Sequence, residues 1–284
     1  MQNEGIKLDY RPGVYRQVPD ERYRRIKAIS KSDLDKWAGG DSPDPRVALV
    51  GHVFHAAILE PEIARERVVV CPHRRNSKAW AEFEAEHHKD GGWVLTKGEF
   101  EQVKGCVDGV KGHSLIADVR KAAMADRDKT EIVVVWEDEK TGLLCKAKID
   151  QETSKCIIDW KSTGMFDSDG SPLAMARYGY GAQAAHYSAG WLAATGIELP
   201  MRFIFASKRA DKGNPCWVYT PTEAELAAGR RSLDQLLHLY AKYATQGQGN
   251  ERASRNGCTD GGAGESPAEA EAPPQELEEP APEE

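Results

Sequence analysis

Apolar residues recur every three or four positions in several stretches of the chain, which is the spacing of an amphipathic α-helix. This period predicts helices at residues 30–37, 46–60, 79–88, 99–111, 115–126, 173–194 and 222–243. In the second helix the predicted buried face comprises Val47, Val50, Phe54, Ala57 and Ile58. Ser30 or Ser32 can cap the first helix, and Pro61 ends the second because proline has no N–H group to donate.

Shorter runs rich in β-branched and aromatic residues predict strands. They lie at residues 68–71, 130–136, 145–150, 156–161, 201–207 and 217–219. Residues 138–142 and 151–155 are polar and turn-like, so the strands on either side of them form a three-stranded antiparallel meander. With helices before and after the meander, this order predicts an α/β fold with a mixed central sheet flanked by helices.

The two ends of the chain differ in composition from its middle. Residues 1–27 are polar, contain Pro12 and Pro19, and are expected to form an extended arm outside the core. From about Gln246 the chain is rich in Gly, Ala, Pro and Glu and has no apolar period, which predicts a disordered acidic tail at residues 248–284. A single domain of residues 28–247 lies between them.

The net charge of the chain is −7, which is unusual for a protein that binds a polyanion. The imbalance is local, because residues 251–284 hold ten acidic and two basic residues, whereas residues 1–250 hold 35 acidic and 36 basic residues. The basic segments at 22–25 and 73–75 can therefore form a local anion-binding patch, although solvated surface charge explains most such segments.

Cysteine spacing and hydropathy exclude several classes of protein. The six cysteines form no C-x-x-C pair and lie at positions 71, 106, 145, 156, 216 and 258. This spacing matches neither a zinc site nor an iron–sulfur cluster, so reduced thiols are expected. Because the first residues are polar and no apolar run is long enough to cross a bilayer, we expect a cytoplasmic protein without a membrane segment.

Charged residues of the meander indicate a possible catalytic site. A short hairpin brings the end of its first strand beside its second, so Asp150 can meet Asp159, with Lys161 two residues further along the same face. Two carboxylates can hold Mg²⁺ at a phosphodiester, and an ammonium can orient the attacking water or stabilise developing charge. A surface hairpin with solvated charges is the alternative. The apolar pair Ile157 and Ile158 favours a buried strand instead.

Asp150, followed nine residues later by Asp159-Trp160-Lys161, resembles the core of the PD-(D/E)XK nucleases, and the flanking sequence resembles the RecE or exodeoxyribonuclease VIII type. Further matching segments occur in the order of that family over residues 28–210. They are Ile29-Ser30-Lys31-Ser32, Gly51-His52-Val53-Phe54-His55, Leu59-Glu60-Pro61, and the pair Gln183 and Tyr187. The resemblance implies a restriction-endonuclease-like α/β core and a recombination exonuclease of phage or prophage type, which would act in the host cytoplasm.

The resemblance also implies a role for each matching residue. Its metal ligands would be Asp150, Asp159, His55 and the backbone carbonyl of Trp160, with Mg²⁺ as the metal and Mn²⁺ as a substitute. Lys161 would assist the attacking water, while Gln183 and Tyr187 would line the site. His52 is a weaker candidate ligand than His55, and a histidine on an apolar helix is more often a core residue than a ligand.

Other residues are candidates for accessory or substrate contacts. Glu131 begins a strand where the family has an acidic residue near its metal, although a glutamate at a strand start is usually only exposed. Candidate phosphate-binding residues are Arg74, Arg75, Lys78 and Lys148. Lys148 stands where the family commonly has arginine, and Trp160 where it has a small aliphatic residue, so the handling of the substrate is open.

The resemblance implies an exonuclease that digests double-stranded DNA from its ends, in the 5′ to 3′ direction, and leaves 3′ single-stranded overhangs. It further implies a ring-shaped homo-oligomer, a trimer or tetramer, and a RecT-like single-strand annealing protein as partner. Two other functions remain open. One is a PD-(D/E)XK endonuclease or flap nuclease, and the other is a catalytically silent DNA-binding or recombination scaffold.

Overall fold

The computed structural model describes residues 9–40, 44–164 and 179–256. The chain divides into two units, Met1–Tyr243 and Ala244–Glu284. Both sheets belong to the first unit. Its strands are β1 (Gly13–Tyr15), β2 (Val68–Val70), β3 (Trp93–Leu95), β4 (Thr130–Glu137), β5 (Leu144–Glu152), β6 (Ile157–Thr163), β7 (Met201–Ser207) and β8 (Cys216–Tyr219).

Nine α-helices accompany these strands in the described residues. They are α1 (Asp20–Arg25), α2 (Lys31–Trp37), α3 (Pro45–Leu59), α4 (Pro61–Arg67), α5 (Lys78–Lys89), α6 (Lys97–Gly112), α7 (Ser114–Ala125), α8 (Tyr180–Thr195) and α9 (Glu223–Asn256). Every described helix is either too short or too polar to span a bilayer.

The main sheet has six strands in the order β1-β4-β5-β6-β7-β8. Strands β6 and β7 pair in parallel, and the other neighbours in this sheet pair in antiparallel orientation. Strands β4, β5 and β6 form the predicted meander. The expected mixed sheet flanked by helices is therefore confirmed. A second sheet, which the sequence did not predict, consists of the parallel pair β2 and β3.

The main sheet separates two hydrophobic layers, because successive side chains of a strand point to opposite faces. On one face α3, α6 and α7 pack around the fully buried Trp160 of β6. On the other face α2, α8 and α9 pack against residues that include Ile157 of β6 and Phe203 of β7. Strands β5 and β6 thus lie in the middle layer of a three-layer structure. The polar side chains Asp150 of β5 and Asp159 of β6 are therefore buried.

Most predicted elements occur within a few residues of their expected bounds, and the differences have physical causes. The turn predicted at 151–155 is shorter, because β5 continues through Glu152 and Gln151 is buried opposite Ile158. Val47 is 56% exposed, not buried, because the inner face of α3 turns toward Val50 and Phe54 instead. Helix α4 follows α3 immediately, since Pro61 ends one helix and fits the first turn of the next.

Both terminal segments depart from the sequence prediction. The expected arm at 1–27 contributes β1, which pairs with β4, and it buries Val18 and Ile26 against the sheet. The last helix was expected to end near Tyr243 but runs through Asn256. Residues 173–178, the expected start of the helix that contains Gln183, and residues 257–284 of the expected tail lie outside the described residues.

Candidate active site

The ends of β5 and β6 bring two carboxylates together. The antiparallel ladder ends at the pair Gln151 and Ile158, and Asp150 and Asp159 are the next residue of each strand. Asp150 Oδ2 accepts a hydrogen bond of 2.8 Å from the backbone N–H of Trp160. The Asp150 carboxylate therefore satisfies the Trp160 backbone N–H at a point where the ladder of backbone hydrogen bonds between β5 and β6 has ended. Both carboxylates are buried, with 8% of Asp150 and 3% of Asp159 exposed.

His55, Glu131 and Asp150 form a group whose possible ligand atoms all lie within 4.8 Å of one another. Helix α3 supplies the imidazole, β4 supplies Glu131 and β5 supplies Asp150. His55 Nδ1 lies 3.2 Å from Asp150 Oδ2. Two carboxylates and one imidazole suit a small divalent cation such as Mg²⁺ or Mn²⁺. The donor set therefore fits the metal that the sequence indicated, with Glu131 more central than expected.

The electrostatics of this group also fit a bound cation. Burial raises the pKa of Asp150 well above its ordinary value, and the nearby Asp159 charge raises it further. Burial likewise raises the pKa of Glu131. The pKa of His55 is lowered, chiefly by burial and then by the Lys161 charge, and a hydrogen bond with the Trp160 backbone opposes this shift. A divalent cation would offset the cost of ionising the carboxylates.

The Trp160 carbonyl points toward the same group. A backbone hydrogen bond that raises the pKa of His55 must accept a proton from the imidazole, so the Trp160 carbonyl lies beside His55. The backbone N–H of the same residue binds Asp150. The indole Nε1 of Trp160 donates to Gln151 Oε1 at 3.2 Å, which fixes the residue in the core. A tryptophan at this position thus leaves the backbone groups available to the site.

Asp159 belongs to a second cluster beside the first. The Lys161 ammonium contacts Asp159 Oδ1, and Gln183 Nε2 donates to Asp159 Oδ2 at 2.7 Å. The Asp159 charge is the largest favourable influence on the pKa of Lys161, which is raised although burial alone would lower it. Tyr187 lies one turn along α8 from Gln183 and hydrogen-bonds to the Gln183 side chain. Burial raises the pKa of the Tyr187 hydroxyl. The predicted catalytic residues are therefore adjacent.

Lys148 has a different environment from the one expected of a phosphate-binding residue. Its ammonium contacts both Asp20 of α1 and Glu131. Glu131 has a φ of +52°, a left-handed conformation that a glutamate rarely adopts and that is often found where function requires it. No pattern in the sequence indicates Asp20, because a residue 128 positions from Lys148 shares no local pattern with it.

A cavity of about 850 Å³ opens onto the His55, Glu131 and Asp150 group. Its lining also includes Asp20, Arg24, His52, Glu60, Arg67, Trp93, Arg127 and Lys148. The Arg127 guanidinium contacts Glu60. The cavity is thus lined by both acidic and basic side chains together with Trp93, and its basic groups and aromatic ring suit a polyanionic substrate that carries bases.

The other predicted phosphate-binding residues lie outside the lining of this cavity. Arg75 donates to Glu99 Oε1 at 2.6 Å, and Lys78 lies 3.4 Å from Glu82. Arg74 is exposed beside them. The structure does not bring these three residues to the candidate active site, so a phosphate-binding role for them stays a prediction.

Comparisons with known proteins relate the chain to nuclease folds. The model of a family described as a PDDEXK-like domain of unknown function, DUF3799, matches residues 24–255. A Eubacterium rectale protein named as a candidate exonuclease has a similar structure, with 17% identity and a TM-score of 0.53 over 80% of this chain and 87% of that one. An alkaline exonuclease from Laribacter hongkongensis is matched at 14% identity and a TM-score of 0.26 over 70% of this chain and 98% of that one. The comparison with curated proteins found no match.

Proposed function

Because the chain belongs to the family of PDDEXK-like domains DUF3799, we propose that it is a Mg²⁺-dependent nuclease that hydrolyses double-stranded DNA from its ends. The observation that carries this proposal is the enclosure of His55, Glu131 and Asp150 beside the Asp159 and Lys161 pair. The RecE-like motifs support the finer assignment, digestion in the 5′ to 3′ direction that leaves 3′ overhangs for recombination.

Each residue of the site has a role that follows from its contacts. When bound, the divalent cation supplies positive charge at the scissile phosphate and acidifies a water molecule. His55, Glu131, Asp150 and the Trp160 carbonyl would hold the cation. Asp159 lies outside the compact group, and we propose that it joins them from β6 when the cation binds. Lys161 places an ammonium where charge develops on the phosphate in the transition state.

Neighbouring groups position these residues. The Trp160 N–H fixes the Asp150 carboxylate. Gln183 fixes Asp159 from α8, and Tyr187 in turn hydrogen-bonds to Gln183. Lys148, held between Asp20 and Glu131, orients Glu131 toward the cavity. The reacting groups thus keep their geometry before the substrate arrives, which reduces the entropic cost of reaching the transition state.

A digestion assay tests the proposed activity and separates it from the two alternatives. We expect a linear duplex to be degraded with Mg²⁺ and preserved with EDTA, while a covalently closed circle survives both. Cleavage of the circle would favour an endonuclease, and cleavage restricted to a branched duplex would favour a flap nuclease. Binding without any cleavage would favour the silent scaffold.

Direction and partner need separate measurements. On duplexes labelled at one end, we expect the 5′ label to be released first, whereas early release of the 3′ label would contradict the proposed polarity. Asp159→Asn should abolish release in both cases, because the substitution removes a charge at the metal and at Lys161.

We also propose that the 3′ strand is passed to a RecT-like annealing protein. Co-purification of such a protein with the nuclease would test this.

A further inference from the structure

Beside the metal site, Arg67 and Trp93 form a stacked pair in the wall of the cavity. The Arg67 guanidinium carbon lies 5.7 Å from the centre of the Trp93 ring. The parallel pairing of β2 and β3 sets this contact, because Val68, the residue after Arg67, lies opposite Trp93. The small second sheet thus holds a cation against an aromatic face.

The pair is connected to the candidate metal ligands through α3. The His52 ring meets Trp93 edge to face, with ring centres 4.6 Å apart. His52 precedes the candidate ligand His55 by three positions, so the two side chains lie on the same side of the helix. Arg67, Trp93 and His52 therefore form a continuous wall that leads to the metal site.

The Arg67 guanidinium is available for an anion. It is exposed, and no carboxylate of the described residues lies within ion-pair distance of it. A guanidinium stacked on an aromatic face keeps its N–H edge free and loses little conformational freedom when that edge binds a phosphate. Two other basic side chains of the cavity contact acidic neighbours, since Arg127 contacts Glu60 and Lys148 contacts Glu131.

We propose that Arg67, positioned by Trp93, binds a backbone phosphate of the DNA strand that enters the cavity for cleavage. This inference rests on the proposed function and adds a substrate contact to it. The strand would pass along the wall formed by Arg67, Trp93 and His52, with one phosphodiester on Arg67 and a neighbouring one at the metal site.

The salt dependence of binding provides the test, since each phosphate contact to a single strand contributes about 0.7 to the slope of log K against log[salt]. The probe is a fluorescent single-stranded oligonucleotide, measured by anisotropy with Ca²⁺ in place of Mg²⁺. Arg67→Gln should weaken binding about tenfold at low salt. When the salt concentration rises fourfold, both proteins should lose affinity. The factor by which the variant loses affinity should be about 2.6 times smaller than the factor for the wild type.

Arg65→Gln is the matched control. Arg65 lies on the same helix, 73% exposed and paired with Glu62 at 2.8 Å, and the substitution removes the same charge. We expect it to leave the slope unchanged. Equal effects of the two variants would overturn the proposal, because they would indicate a general loss of positive charge.

A second pair of variants tests the positioning role of Trp93. Trp93→Phe keeps an aromatic face and should bind nearly as the wild type does, whereas Trp93→Leu should reproduce part of the Arg67→Gln defect. In the double variant Arg67→Gln with Trp93→Leu, the effects should be less than additive. Full additivity would show that the two residues act independently and would contradict the stacked arrangement.

Failure of this inference and failure of the proposed function give different results. If the wild type cleaves linear DNA but Arg67→Gln and Arg65→Gln bind alike, the proposed function stands and the Arg67 contact is refuted. If the wild type never cleaves DNA, but the slope of log K against log[salt] changes in Arg67→Gln and not in Arg65→Gln, the Arg67 contact stands and the nuclease activity is refuted.

Discussion

Asp150 illustrates how a buried carboxylate can be both costly and useful. Burial and then the nearby Asp159 charge raise the pKa of Asp150 well above the ordinary value of 3.8, and the hydrogen bond from the Trp160 backbone N–H only partly opposes this shift. Above that value the ionised group opposes folding, since it would be better solvated in the unfolded chain. A divalent cation reverses this effect, because it binds the ionised form.

Asp150→Asn is therefore expected to raise the melting temperature of the metal-free protein while abolishing Mn²⁺ binding and cleavage. Asparagine keeps an oxygen for the Trp160 N–H, whereas alanine would leave that donor unsatisfied. The gain should be present at neutral pH and should vanish as the pH falls toward 3.8, where the native carboxylate is also neutral. Calorimetry checks both melting and metal binding. Glu152→Gln, on the same strand but outside the group, should show no such gain.

Lys161→Ala should separate metal binding from chemistry. The ammonium stabilises charge in the transition state but is not a ligand, so Mn²⁺ should still bind. The cleavage rate should fall roughly 10²- to 10³-fold, the effect of removing one transition-state donor. Single-turnover rates and titration calorimetry measure the two quantities. A matching loss of metal affinity would instead indicate that Lys161 mainly organises Asp159.

At the scale of elements, α8 must approach both the sheet and α9 closely to deliver Gln183 to Asp159. Gly181 of α8 and Gly229 of α9 meet without side chains. A Cβ added at Gly229 would lie 2.2 Å from the Gly181 carbonyl oxygen, a distance that only backbone movement can relieve. The position of Gln183 therefore depends on a glycine contact between two helices.

Gly229→Ala should consequently destabilise the fold by about 1–3 kcal/mol and slow cleavage, because α9 pushes the start of α8 away from Asp159. Denaturant unfolding and rate measurements check the two effects. Gly98→Ala makes the same change on α6, where an added Cβ meets no atom within 4 Å. It should be neutral or stabilising by about 0.5–1 kcal/mol. Similar losses in both variants would contradict the packing argument.

At the scale of the whole molecule, charge is distributed unevenly along the chain. The near-neutral residues 1–250 contain the candidate site, and most of the excess negative charge follows them. The unit that contains the site ends at Tyr243. We therefore expect the site to function without the last residues of the chain.

Removal of residues 248–284 should leave metal affinity, nuclease activity and melting temperature nearly unchanged. If the acidic segment competes for the DNA site, the shortened protein will bind DNA more tightly at low salt, and the difference will disappear at high salt. Anisotropy titrations at two salt concentrations measure this. A large drop in melting temperature would show instead that the segment contributes to the stability of the fold.

A cyclic homo-oligomer, a trimer or tetramer, remains our prediction for the assembly. A ring holds DNA topologically, which permits processive digestion without strong cationic binding by each subunit, and this suits a near-neutral body. Light scattering of the purified protein should give a mass three or four times that of the chain. A monomer across the concentration range of the activity assay would refute the ring.

Local patterns in the sequence determined much of the fold and the core of the site. The helical period located α3, α5, α6 and α7, and the β-branched runs located the meander, because both signals depend on residues only a few positions apart. The closeness of Asp150, Asp159 and Lys161 followed from the register of one short hairpin. Gln183 and Tyr187 were placed on one face by the repeat of a single helical turn.

Only the tertiary structure decided the contacts between distant segments. Strands β1 and β3 are each three residues long, too short for a local period, and they form because a partner strand is present. Strand β2 was predicted from the sequence, but its pairing with β3 was not. Lys148 meets Asp20 across 128 positions, and Arg67 meets Trp93 through the β2–β3 pairing. Such contacts require long loops to close, which costs conformational entropy. The favourable energy that offsets this cost arises only once the whole core has packed.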